Sequence, residues 1–306
     1  MGSLLRRLDI YGDFWLRSLF AGATICPWFL EPIMAWTCGT FFFLFLKKAR
    51  HAIAANLAVI RPGLSDWQYF KDTYRVIVNF GWTLADLAHV RSGHPVIDWE
   101  IEGKEHLDAL SHYTTGAVIL TAHMGNYDVA APLFGTRIGR RIHTVRAPER
   151  DQRTQEFMVK KRVTGPSEWH IVHYNTPGGM LAVELTKLLQ AGEFVAIQGD
   201  RILFDVSPQP MEFSPGIQWQ LPRGPFMLAA IARTPIVPIF IIRIGWRRYR
   251  IAAGAPFIWT GDPRDKAGAQ KAAADWWNSC LQAVVRAHWY QWFVFEKAFT
   301  PVTKAA

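Results

Sequence analysis

The run Thr121-Ala122-His123-Met124-Gly125-Asn126-Tyr127-Asp128 holds the side chains best suited to chemistry, an imidazole followed after four intervening residues by a carboxylate. On a regular helix two residues five apart point about 140° from one another. His123 and Asp128 therefore pair only if His123 stands before a helix and the chain turns between them, a turn that Gly125 can supply. Paired in that way, His123 acts as a general base while Asp128 holds the other ring nitrogen and favours the imidazolium formed as a proton is taken. The same spacing also fits a strand-end histidine satisfied by a backbone carbonyl, with Asp128 in a solvated first turn. Other chemistries lack their motifs. There is no Gly-x-Gly-x-x-Gly, Gly-x-x-x-x-Gly-Lys, His-Glu-x-x-His or Gly-x-Ser-x-Gly, so nucleotide, zinc-protease and serine-hydrolase readings have no support. His, Cys and carboxylate residues do not recur at metal-ligand spacing, and neither a metal nor a cofactor is expected.

A histidine used in this way needs a strand before it and a helix after it, and the hydrophobic pattern supplies both. Over residues 66–90, Trp67, Phe70, Tyr74, Ile77, Leu84 and Leu87 recur at three-and-four spacing, and Gly93-His94-Pro95 follows as a stop, which predicts an amphipathic helix. Short apolar strands are predicted at 96–101, 116–122 (GAVILTA), 193–198 (EFVAIQ), 234–242 (TPIVPIFII) and 249–253. Helices are predicted from about Lys104, from the Thr176-Pro177 cap to Gly192, and from Lys266 to about Trp292. Strands alternating with helices indicate an α/β fold with a mostly parallel central sheet flanked by helices. No repeat, low-complexity tract or linker divides the chain, so an N-terminal segment, 1–50, and one catalytic domain, 51–306, are expected.

Residues 14–46 are the most apolar part of the sequence, but Arg17, Glu31, Pro27 and Pro32 interrupt them. The longest charge-free run, 32–46, is 15 residues, short of the roughly 20 that a spanning helix needs. Arg6, Arg7 and Arg17 precede it and Lys47, Lys48 and Arg50 follow, which places both flanks on the cytoplasmic side. A membrane-embedded hairpin or interfacial helix pair is therefore expected. Asp9 and Asp13 break the apolar stretch of a signal peptide, and Arg6 stands where a myristoylation motif needs Ser or Thr.

Half of the 306 residues are hydrophobic and the net charge is +9; apolar content this high excludes a disordered chain. The basic excess suits an anionic membrane, an acidic carrier protein or a nucleic acid. Nine basic residues stand against three acidic ones between Arg137 and Arg162, and Arg243, Arg247, Arg248 and Arg250 form a second group. No nucleic-acid-binding signature accompanies this charge, and no nucleic-acid partner is expected. Three cysteines, Cys26, Cys38 and Cys280, point to a reducing compartment.

Several ordered segments carry a family resemblance: Asn56-Leu57, VIDWEIEGKEHLDAL, GAVILTAHMGNYD, HTVRAPER at 143–150, VAIQGDR at 195–201, LPRGPFMLA at 221–229 and TPIVPIF at 234–240. Together they are similar to the late acyltransferases of lipid A biosynthesis, the lauroyl and myristoyl acyltransferases, a branch of the lysophospholipid acyltransferase superfamily. The resemblance implies His123 as general base and Asp128 as its orienting partner, with Gly125, Asn126, Arg146, Arg150, Asp200, Arg201 and Arg223 shaping the substrate site. It implies transfer of a fatty acyl chain from acyl carrier protein or coenzyme A to a hydroxyl of a lipid or glycolipid in an anionic membrane. The setting would be the cytoplasmic face of a bacterial inner membrane. Two other readings are a non-catalytic, membrane-associated scaffold with a degenerate acyltransferase fold and a basic nucleic-acid-binding protein.

Overall fold

The computed structural model describes residues 13–27, 29–91, 97–148, 152–162, 169–176, 180–202, 206–260 and 265–302. The chain opens with four helices, α1 (Asp13–Ile25), α2 (Glu31–Phe45), α3 (Lys47–Ile60) and α4 (Asp66–Arg91). Helix α4 is the bearing for the other three, each of which packs against it. Thr73, Val76, Ile77, Thr83, Leu87 and Ala88 form its buried stripe. Trp67 and Phe70, expected on that stripe, are instead largely exposed and stacked on one another. Helix α3 runs across residue 50, where an N-terminal segment was expected to end.

Helix α2 buries Glu31, Ala35, Gly39 and Phe43 at successive i+4 positions. Gly39 permits that approach, since a Cβ there would lie 3.1 Å from Val78 Cγ2. Away from that stripe, Ile33, Trp36, Phe41, Leu44 and Phe45 are exposed although apolar. Among the described residues no helix is long and apolar enough to cross a membrane.

The remaining elements build a seven-stranded sheet of order β1-β9-β8-β2-β5-β3-β4. Its strands are β1 (Asp98–Glu102), β2 (Ala117–Thr121), β3 (Ile142–Arg146), β4 (His170–Tyr174), β5 (Phe194–Gln198), β8 (Ile236–Gly245) and β9 (Arg248–Ala253). All neighbouring pairs are parallel except β8 and β9, which form an antiparallel hairpin. The expected mostly parallel sheet flanked by helices is thus present. The one antiparallel pair arises because Gly245 and Arg247, the latter at φ 53°, turn the chain back directly, with no room for a crossover helix. A second sheet, not anticipated, joins β6 (Pro208–Ser214), β7 (Ile217–Pro222) and β10 (Phe299–Pro301) antiparallel.

Strand β2 is buried on both faces, as a parallel strand covered by helices must be. Ile119 and Ala196 share one face with Ile142 and Val237, beneath α5 (Lys104–Leu110) and α6 (Tyr127–Ile138). Val118, Leu120 and Val195 share the other, packed with α8 (Leu181–Gln190), α9 (Gly224–Ala232) and α10 (Lys266–Ala287). Helix α7 (Gln152–Arg162) stands outside, against α1. Helix α10 ends at Ala287, not near Trp292 as expected: His288 caps it and Trp289–Gln291 form a 3₁₀ turn. Gln291, fully buried, explains the early stop, because its side chain accepts from the Arg243 amide and donates to the Arg243 carbonyl.

A polar seam crosses the apolar contact between α4 and the β8–β9 hairpin. Tyr249 donates its hydroxyl to Asp86 at 2.6 Å, while Arg247 reaches Glu31 at 2.5 Å and His89 also faces Glu31. Burial pushes the Asp86 carboxyl up to about 6, against the lowering effects of Tyr249, Arg243 and Arg247. Between pH 4 and 6 the folded state therefore holds a proton that the unfolded chain has released, and a rise in pH through that window costs stability. The Asp86→Asn variant keeps an acceptor for Tyr249 but has no such titration. Relative to it, the wild type should lose up to about 3 kcal/mol between pH 4 and pH 7. Urea midpoints measured across that range check this, and parallel curves would show that Asp86 does not titrate there.

Candidate functional site

His123 stands two residues beyond Thr121, the last residue of β2, and its ring is nearly buried. The turn after it is made by Gly125 at φ +55°, where a Cβ would stand 1.9 Å from the Ile241 carbonyl oxygen. The expected turn is thus present, but it does not deliver His123 to Asp128. It leaves the ring facing the end of the neighbouring strand β5. There the ladder continues for one residue, Gly199 N donating to Thr121 O at 2.8 Å, and the next side chain is Asp200.

Asp200 accepts from the His123 backbone amide at 2.9 Å through Oδ2, and its Oδ1 lies 2.6 Å from His123 Nδ1. Trp292 Nε1 donates to Oδ2 at 2.9 Å. Burial pushes this carboxyl up, but the electrostatic attraction and hydrogen bonds of the His123 ring and amide, together with the Arg201 guanidinium, outweigh it and hold Asp200 below the usual carboxylate range. An ionised Asp200 only accepts, so His123 carries its proton on Nδ1 and turns the Nε2 lone pair toward the cavity. Arg201 Nε donates to that lone pair at 3.2 Å, and its Nη1 is 3.3 Å from Glu296 Oε1. With no side-chain exposure, Asp200 cannot touch a substrate. Expected among the residues that shape the substrate site, it stands behind the histidine, with its side chain withdrawn from the cavity.

Asp128 does not orient His123. It sits in the first turn of α6 and meets two guanidiniums, Arg91 at 3.3 Å from the end of α4 and Arg146 from the end of β3. The reason is positional: the turn at Gly125 directs His123 toward β5, whereas Asp128 emerges over β3. Arg146 is thereby engaged by Asp128 and still borders the cavity. Asn126 also borders it, but its amide donates to Thr83 O at 3.1 Å and bonds Tyr249, so it ties α6 to α4 and β9. Arg223 is exposed at the start of α9 and reaches Gln270 at 3.3 Å, away from the cavity. Arg150 lies outside the described residues.

The cavity measures about 800 Å³ and straddles the sheet edge, a volume that suits a ligand-binding site. Ile119, Ala130, Phe134 and Ile142 line it on the α6 side of the sheet, Leu181, Leu185, Ile197 and Leu228 on the other, with His123 and Arg201 at its wall. It is therefore a mainly hydrocarbon space with a base, a guanidinium and the Asp128–Arg146 pair set into it. Among the described residues no group of His, Cys, Asp and Glu is arranged to hold a metal.

Of the two basic clusters, the second is largely consumed within the fold: Arg247 pairs with Glu31, Arg248 with Glu100, Arg250 with Glu100 and Glu102, and Arg243 lies 3.8 Å from Asp86. In the first, Arg140 clamps the carbonyls of Tyr113, Thr115 and Gly192, and Arg141 faces Glu193. Trp292, Glu296 and Arg91 are site residues that sequence reasoning missed. Trp292 was assigned to the helix, although the unusual aromatic density of 289–295 marked that segment.

The site is thus a strand-end histidine backed by a buried carboxylate and opening on a mainly apolar cavity. The chain belongs to the bacterial lipid A biosynthesis acyltransferase family, whose sequence pattern matches residues 4–300. The protein is accordingly placed among the acyltransferases. No curated protein matches the chain.

The geometry yields two expected outcomes. In Gly125→Ala the new methyl group meets the Ile241 carbonyl, so the variant should lose soluble expression or have its thermal midpoint lowered by at least 5 °C. Asp128→Asn takes away the carboxylate charge that buried Arg91 and half-buried Arg146 share and should cost about 1–3 kcal/mol in denaturant titration. A change under about 0.5 kcal/mol would show that Arg91 and Arg146 do not depend on Asp128.

Proposed function

We propose that the protein transfers a fatty acyl chain from an acyl thioester, on acyl carrier protein or coenzyme A, to a hydroxyl of a membrane lipid or glycolipid resembling a lipid A precursor. His123 is the general base. The observation that carries this reading is the 2.6 Å contact from Asp200 to His123 Nδ1, which commits Nε2 to the cavity side. The acceptor hydroxyl displaces Arg201 from Nε2 and gives its proton to that nitrogen. Its oxygen bonds to the thioester carbonyl carbon, and the displaced Arg201 guanidinium, tethered by Glu296, faces the oxyanion that forms. As the C–S bond breaks, the thiolate takes the proton back from the imidazolium. Asp200, held as a carboxylate, favours that imidazolium throughout. No nucleophilic side chain is consumed, in keeping with the lack of a serine elbow.

The lipid acceptor is supported by the outer face of α2. An apolar side of a helix left uncovered by its own fold, with Trp36 56% and Phe45 61% exposed, suits a bilayer. At about 1.5 Å per residue, its 15 residues reach only about 22 Å, so α2 lies in the interface and does not span it. Lys47 and Lys48 beside it, and Lys71 on α4, suit anionic headgroups. The membrane in question is the cytoplasmic leaflet of a bacterial inner membrane.

With dodecanoyl-coenzyme A as donor and a hydroxylated lipid A precursor as acceptor, His123→Ala should lower turnover by about two to four orders of magnitude. Asp200→Asn, which cannot hold the same tautomer as a charged acceptor, should be similarly impaired. Folded His123→Ala with wild-type turnover would eliminate the mechanism. Ile33→Ser, Trp36→Ser and Phe45→Ser combined should abolish sedimentation with vesicles containing 30% phosphatidylglycerol; undiminished binding would reject the α2 face as the membrane contact.

A further inference from the structure

We infer that Asn56 is a positioning residue for the acyl-transfer reaction, acting through a C-terminal strap, residues 292–298, that holds the carboxylate behind His123 and the guanidinium in front of it. The inference rests on the reading of His123 as the base.

Asn56 lies on α3, 3% exposed and more than 230 residues from the strap in sequence. Its Nδ2 donates to Val294 O at 3.3 Å and to Glu296 O at 2.9 Å, and its Oδ1 accepts from Ala298 N at 3.0 Å. Residues 293–298 belong to no helix or strand, yet a buried backbone needs partners for its amides and carbonyls. The carboxamide of Asn56 has the donors and acceptor of a peptide group and stands where a neighbouring strand would. Aspartate has no donors and leucine no polar atoms, so neither can replace it, although both are close to it in size.

The strap so fixed touches the reaction centre at successive points. Trp292 donates to Asp200, Phe293 N donates to His123 O at 2.7 Å, and Glu296 holds Arg201, which rests on His123 Nε2. Phe293 and Phe295 also wall the cavity and pack on Phe80 of α4. The groups facing His123 from the surrounding elements are Asp200, Arg201 and Tyr127; Asn56 touches none of them. Its effect on chemistry must pass through the strap.

Two measurements test this in full-length protein. In turnover with dodecanoyl-coenzyme A, Asn56→Ala and Asn56→Leu should each lower kcat about ten- to a hundredfold, the scale of a small misplacement of reacting groups. KM for the thioester should stay within about threefold. Combined with Trp292→Phe, the loss should be less than the product of the two single losses, because both act on Asp200. In histidine-labelled protein without substrate, the Nδ1 proton signal of His123, identified by its disappearance in His123→Ala, should exchange faster with solvent in Asn56→Ala than in wild type. A residue that serves stability alone would lower the thermal midpoint and leave kcat and the proton signal unchanged, and that result would overturn the inference. Multiplying losses with Trp292→Phe would overturn it as well. Should wild-type protein transfer no acyl group, the acyl-transfer reading fails; faster proton exchange in Asn56→Ala then upholds the strap's hold on His123, and unchanged exchange refutes it.

Discussion

The structure turns on the burial of one carboxylate. Asp200 has no solvent-accessible side-chain surface, and an ionised carboxylate withdrawn from water is penalised by several kcal/mol unless hydrogen bonds and charge replace its hydration. Three donors meet it, the backbone amide and ring of His123 and the indole of Trp292, with Arg201 beyond the ring. They come from two separate parts of the chain, the end of β2 and the segment after α10. The end of β2, the end of β5 and the segment after α10 converge because one charge needs all of them. The orientation of the imidazole and the satisfaction of a buried anion are here the same arrangement, so the ring has little freedom to rotate away from the cavity.

A second carboxylate, Asp128, meets the same difficulty with a different solution. It is paired with guanidiniums from α4 and β3 and links three elements around the cavity's polar side. The two acids divide the work that spacing alone assigned to one. Asp200 meets the His123 ring at Nδ1, while Asp128 joins the elements that wall the cavity.

Much of this was legible in the sequence, and what was not has a common cause. The strands GAVILTA and EFVAIQ were plain because buried parallel strands are continuously apolar, and the turn at Gly125 followed from the conflict between helical geometry and the His123–Asp128 spacing. The identity of the histidine's partner was not legible. Asp200 lies 77 residues away from His123, and their adjacency is created by strand order, which local pattern does not encode. The same holds for Asn56 and the strap. The strands β6, β7 and β10 were missed because β6 carries two prolines, Pro208 and Pro210, and β10 is three residues long. The exposed faces of Trp67 and Phe70 mislead for another reason: apolar periodicity reports that a face avoids water, without saying whether protein or lipid covers it.

Helix α4 connects these matters. Near its start and middle it receives the narrow buried stripe of α2, brought close by Gly39 against Val78. Further along it offers the Thr83 carbonyl to Asn126, Asp86 to Tyr249 and Arg91 to Asp128, all beside the reaction centre. The outward apolar face of α2 and the cavity wall are therefore set by one rigid element, whose 26 residues are buried along a continuous stripe. The distance from that face to His123 is thus fixed by helix geometry, with no hinge between the two. The seam of Glu31, His89 and Arg247 reinforces the same junction. Burying these charges would be a poor way to gain stability, but it holds the α2 helix in one register on the fold.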